Sequence, residues 1–138
     1  MKELFMSIEE ISHSIKSRAL SPTNLIHATI ERIEKVDGKL NSYITVMKQS
    51  ANRDAKRAED EINSNKYRGP LHGVPIALKD IIATKFAPTT CGSKIFLDRM
   101  LSYDATVVEK LKEAGAIIIG KLNLYEFAFA FSARQSFF

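Results

Sequence analysis

The chain has 138 residues, a formal net charge of +4, 45% hydrophobic residues and 26% charged residues. This balance suits one globular domain with a core and argues against global disorder. No run approaches the roughly 18 apolar residues of a membrane span, and the opening MKELFMSIEE carries acids where a secretion signal would be apolar.

The expectation is a cytoplasmic protein with no membrane partner. Cys91 is the only cysteine, so no internal disulfide can form, as suits a reducing compartment. As a nucleophile it would need a histidine, and His13, His27 and His72 are scattered along the chain. A small buried or half-buried thiol is expected instead. One Cys and three dispersed His show no ligand spacing, so no metal is expected. The densest charged stretch, 52–61, mixes Arg53, Lys56 and Arg57 with Asp54, Glu59, Asp60 and Glu61. Interspersed signs mark a solvated helix face, so no direct nucleic-acid partner is expected.

In chain order, Leu4, Ile8, Ile11 and Ile15 form an apolar stripe, and Ser7 with Glu10 has capping-box spacing. Ser21-Pro22 opens a second helix with a cap and a proline at its first position; Ile26, Ile30 and Ile33 are its buried face, and Gly38 is expected just past its end. The β-branched stretch 42–46 predicts a strand. Ala51, Ala55, Ala58 and Ile62 stripe a third helix, and the segment 66–70 turns the chain. Residues 74–78 predict a short strand, with Pro75 at its start or on an edge. Asp104 is expected to cap a helix with Val107, Val108, Leu111 and Ala114 inward and Gly115 at its end. Residues 116–119 predict a strand buried on both faces. Strand, helix, strand suggests a right-handed parallel crossover, and the fold class is α/β.

Two features stand apart. The segment 80–103 has no periodicity, and loops of that length are commonly functional or packed upon. Five of the eight phenylalanines fall in the last twelve residues: Phe127, Phe129, Phe131, Phe137 and Phe138. Such an end suits either a chain that stops inside a core or the contact surface of a homo-oligomer.

The chemistry centres on Gly69-Pro-Leu-His-Gly-Val-Pro-Ile-Ala-Leu-Lys79-Asp80. A lysine at the C-terminal end of a strand in an α/β sheet lies where catalytic groups gather. Partial desolvation favours its neutral form, which can take a proton from a hydroxyl. Spacing alone favours an ordinary lysine pointing to water or paired with Asp80, because a lone lysine is a weak motif. Gly120-Lys121 lacks the glycine and Ser/Thr of a phosphate loop, and no cofactor is expected.

This lysine segment resembles the lysine motif of the amidase signature family. Thr89-Thr-Cys-Gly-Ser93 is similar to the family's Thr-Thr-x-x-Ser. Residues 103–116 are similar to its helix, and Gly120-Lys121, Asn123 and Glu126-Phe-Ala128 to its Gly-Lys-x-Asn-x-x-Glu-Phe-Ala pattern. The Ser21-Pro22 helix and the strand after Asn41 also fit. The resemblance implies the N-terminal part of an α/β/α fold on a mixed sheet, helices first. Residues 1–138 would then form one partial amidase domain, with 1–66 mainly helical and 69–138 carrying the strand-helix-strand part and the lysine.

It further implies a hydrolase of carbon–nitrogen bonds in small-molecule amides, working through a Ser–cis-Ser–Lys triad in which Lys79 is the ultimate base. Both serines belong to a Gly/Ser-rich elbow that does not occur in residues 1–138, so this chain alone is expected to be inactive. Two subfamilies share these motifs, broad amidases and the A subunit of glutamyl-tRNA(Gln) amidotransferase. From another class, a non-catalytic remnant acting as a self-associating or binding module also fits. Leu122 and Ala130 depart from the family pattern, and Phe129 and Phe131 are candidate walls of an acyl pocket. Ser93 is expected to be structural. No role follows from the sequence for Lys121, and Asn123 and Glu126 either tie the loop or face solvent.

Overall fold

A reciprocal capping box starts the first helix. Ser7 Oγ accepts the Glu10 N–H at 3.2 Å and Glu10 Oε2 accepts the Ser7 N–H at 2.7 Å. The computed structural model describes residues 2–129 and residue 138. Helix α1 (Ile8–Lys16) buries Ile11 and Ile15. Ile8, expected in the same stripe, is its first residue and stays exposed, while Leu4 packs on the core from a separate 3₁₀ turn.

Helix α2 (Pro22–Leu40) opens as predicted, with Ser21 Oγ accepting the Asn24 N–H and proline in the first turn. It does not stop at Gly38. The helix continues to Leu40 and closes on Asn41, whose φ of 52° puts it in the left-handed region. Asparagine tolerates that conformation, and the Asp37 carboxylate accepts the N–H groups of Ser42 and Tyr43, which fixes the turn. The chain then enters β1 (Tyr43–Val46) and α3 (Lys48–Asn63). The small face of α3, Ala51, Ala55 and Ala58, lets it lie close to Ile26, Ile30 and Ile33 of α2. Ser21 Oγ and Thr23 Oγ1 both donate to the Glu59 carboxylate and tie the two helices further.

The remaining elements are β2 (Pro75–Lys79), α4 (Thr106–Glu113) and β3 (Ile117–Leu122). The sheet order is β1-β3-β2, antiparallel between β1 and β3 and parallel between β2 and β3. The fold is therefore α/β with a mixed sheet, and α4 is the parallel crossover. β3 is central, and Ile117 to Lys121 are accordingly buried in succession. Ile117 and Ile119 face α2 and α3, and Ile118 faces α4 with Leu78 and Val108. Each such isoleucine contributes about 1.5–3 kcal/mol by leaving water. Gly120 is required by the crossing of β1: a Cβ there would lie 2.5 Å from the Thr45 carbonyl oxygen.

The start of α4 differs from expectation. Ala105 is the cap residue and no side chain caps it. Asp104 instead accepts the Lys85 N–H at 2.8 Å and pairs with Lys112 at 3.1 Å, pinning the long loop to the helix. Burial alone would raise its pKa, but these donors and the Lys85 ammonium outweigh burial and hold it below the usual carboxylate range. Val107, expected inward, is 51% exposed, because this short helix turns only the Val108–Leu111 side to the sheet. Gly115 closes the helix at φ 82° as expected.

His72 is packed against that glycine, where a Cβ would meet the imidazole Cδ2 at 2.4 Å. The ring is 1% exposed. Its Nδ1 accepts the Arg68 N–H at 3.1 Å, so the neutral ring carries its proton on Nε2, 3.1 Å from Glu61 Oε2. Burial holds its pKa below 6.5 despite the Glu61 charge. The native state therefore binds this proton less readily than the unfolded chain. The stabilisation is complete above the unfolded value near 6.5 and is lost as pH falls through it toward the depressed native value. Thermal unfolding followed from about pH 7.5 to 5 should show the melting temperature falling, with a shallower fall in His72→Gln.

Candidate active-site lysine and its groove

Lys79 ends β2 and lies opposite Leu122 in the parallel register with β3. Both residues are therefore at the C-terminal ends of their strands. The Lys79 side chain is exposed and has no hydrogen-bond or ion-pair partner among the described residues. It lines a groove of about 780 Å³ whose walls include Leu40, Leu122, Leu124, Tyr125 and Ala128. A second cavity of about 810 Å³ contains His72, Arg53 and Pro88 and does not include Lys79.

The pairing of Lys79 with Asp80 that spacing allows does not occur. Asp80 is fully buried and belongs to Lys121, also fully buried. Lys121 Nζ sits 2.8 Å from Asp80 Oδ1, off hydrogen-bond alignment, and Oδ1 has no other partner among the described residues. The same ammonium donates to the Pro88 carbonyl and to Thr89 Oγ1, each at 3.1 Å, and to Thr84 Oγ1 at 3.4 Å. Asp80 Oδ2 accepts the Thr90 N–H at 2.9 Å and the Thr90 hydroxyl at 2.5 Å. A buried charge is tolerable only with such partners.

The long aperiodic segment is thus organised around a polar centre, with Thr84, Thr89, Thr90 and Ser93 all buried. Ser93 Oγ accepts the Ile95 N–H at 3.3 Å, a local structural bond. Cys91 is buried at φ 56°, and its sulfur accepts a hydrogen bond from Arg99 at 3.3 Å. Asn123 ties the groove wall to the end of α2. Its N–H donates to the Ser42 carbonyl at 2.7 Å and its Nδ2 to the Asn41 carbonyl at 2.9 Å. Glu126 is exposed. Phe129 is 69% exposed and does not line the groove, while Phe131 lies outside the described residues. Phe127 stacks edge-on against Phe96 with ring centres 5.9 Å apart.

The roles of Asp80 and Lys121 escaped the sequence. The available signal was a charged residue in or beside each of two otherwise apolar strands, and such residues inside a sheet call for partners. Among the described residues no helix is long and apolar enough to cross a membrane, and no group of three or more His, Cys, Asp and Glu is placed to hold a metal.

A solvent-accessible lysine at the C-terminal edge of parallel strands, beside a groove lined by polar and apolar residues alike, defines the candidate site of an α/β protein. Residues 24–138 match the family model described as Amidase. The chain belongs to the amidase family. It is 43% identical over its whole length to the A subunit of the glutamyl-tRNA(Gln) amidotransferase of Carboxydothermus hydrogenoformans, of which it covers 28%. It is also 43% identical over 124 residues to a putative amidase, AmiD, of Mycobacterium bovis, covering 90% of this chain and 26% of that protein. Among solved structures it superposes on the peptide amidase of Stenotrophomonas maltophilia with a TM-score of 0.84 and 30% identity, over 89% of this chain and 26% of that one. The chain thus spans little more than a quarter of the length of these relatives.

Proposed function

We propose that this chain supplies the lysine base of an amidase-family hydrolase that cleaves carbon–nitrogen bonds in small-molecule amides. The observation that carries the proposal is Lys79 itself, at a strand C-terminus, unpartnered among the described residues and lining the groove. A lysine in this position accepts the proton of a serine nucleophile and later returns it to the leaving amine. That serine and its relay partner come from a Gly/Ser-rich segment not found in residues 1–138. Comparing kcat for Lys79 and Lys79→Met forms of an enzyme that unites this segment with the serines tests the assignment.

A second reading has specific support. The A chain of the amidotransferase matches this protein along its full length, at 43% identity in Carboxydothermus hydrogenoformans and 46% over 137 residues in Geobacter metallireducens. In that role Lys79 serves an amide-donor reaction within a multi-subunit complex. Turnover of simple aryl amides without companion proteins separates the amidase from it.

A further inference from the structure

The residue after Lys79 is the hub of the network described above, and the network reaches both sides of the groove. On one side, the Asp80 N–H donates to the Leu122 carbonyl at 3.0 Å, which fixes the end of β2 against the end of β3. On the other, the Asp80 carboxylate holds Thr90, and the Asp80 carbonyl accepts the Cys91 N–H at 3.1 Å. Cys91 and Gly92 follow in left-handed conformations, φ 56° and 69°. A non-glycine residue there persists only where its surroundings determine it. The Cys91 carbonyl accepts the Phe127 N–H at 2.7 Å, and a Cβ on Gly92 would meet the Leu124 carbonyl oxygen at 2.7 Å. The turn at 91–92 is therefore seated directly on segment 124–127, of which Leu124 and Tyr125 line the groove together with Lys79 and Leu122. Lys121 closes the circuit from within β3 by pairing with Asp80 and holding the Pro88–Thr89 stretch of the loop.

We propose that the buried Asp80–Lys121 pair is a positioning device for the Lys79 site, setting the lysine and the 122–128 wall in fixed relation through Thr90 and the left-handed turn. The inference rests on Lys79 being the base. Buried ion pairs are a poor source of net stability, and fixing one arrangement of the chain is the use the geometry gives this one. Neither residue lines the groove, so both act through their neighbours.

The test uses the 138-residue chain and the double variant Asp80→Asn with Lys121→Met, which removes the pair while leaving the net charge unchanged. Any change at Lys79 then reports geometry and not a new charge. The readouts are the ε-methylene NMR resonance of Lys79, assigned with Lys79→Arg, and amide hydrogen exchange at Cys91 and Phe127. The expected result is a folded chain with a displaced Lys79 resonance and exchange about tenfold or more faster at those two amides, against unchanged exchange in α2. A folded double variant with both readouts unchanged overturns the proposal. Thr90→Val keeps the pair and the charge and removes the hydroxyl that links Asp80 to the Gly92 N–H of the turn, so it carries the same two readouts should the double variant fail to fold. Faster exchange with an unmoved Lys79 resonance would make the pair a structural clamp only, and would also overturn it. None of these readouts depends on turnover, so failure of the hydrolase assignment is seen separately, in kcat.

Discussion

Lys121→Met is expected to destabilise the chain strongly, by about 3–5 kcal/mol. Methionine matches most of the lysine stem but supplies no donor. Asp80 then keeps one hydrogen-bonded oxygen, on Thr90, and loses the partner of the other, at a position with no exposure to water. The Pro88 carbonyl and Thr89 hydroxyl lose a donor as well. Breaking one side of a buried pair costs about 3–5 kcal/mol, a large part of the roughly 5–15 kcal/mol that holds an ordinary domain together. Urea unfolding should show a strongly lowered midpoint. The double variant Asp80→Asn with Lys121→Met should recover much of the loss, because no charge remains stranded. If the single variant unfolds at the wild-type midpoint, the pair is not buried as described.

The opposite pattern is expected at Lys79. Its side chain is exposed and makes no pairing among the described residues, so Lys79→Met should change stability by no more than about 0.5 kcal/mol, as for surface changes generally. In an enzyme that unites this segment with its serines, the same change should lower kcat on the order of 10³-fold or more, since members of a catalytic unit fail together. KM should move little, because the lysine handles a proton and not the acyl group. Lys79→Arg should not rescue turnover, because a guanidinium does not deprotonate in a protein and cannot serve as base. A variant that loses stability and activity in parallel would place Lys79 in the framework instead.

The helical half was legible because its signals are local. The Ser7–Glu10 box, the Ser21-Pro22 start and the alanine face of α3 depend on residues within a turn or two, and each appears where the pattern puts it. The misplacements of Gly38 and Asp104 share one cause, which is competition from other partners. Gly38 was displaced as a stop by Asn41, whose turn is held by the Asp37 carboxylate against the start of the next strand. Asp104 left the helix cap for the Lys85 N–H in the preceding loop and for Lys112 in the last turn of the same helix. The segment 80–103 carried no period because its order comes from long-range polar bonds, centred on Asp80 and a lysine two elements further along the chain. Spacing rules have no access to such a pair. The motif around Lys79 was read for a different reason, its resemblance to the amidase signature, since spacing by itself leaves a lone lysine at a strand end as an ordinary one.

On the proposed reading, residues 1–138 supply the base and part of the groove, and the nucleophile it activates lies in the Gly/Ser-rich segment not found in these residues. Hydrolysis of simple aryl and aliphatic amides by the purified 138-residue chain tests this most directly, with Lys79→Met as control. No turnover above that control is expected. Turnover that disappears with Lys79→Met would contradict it, and would place a working nucleophile within these residues.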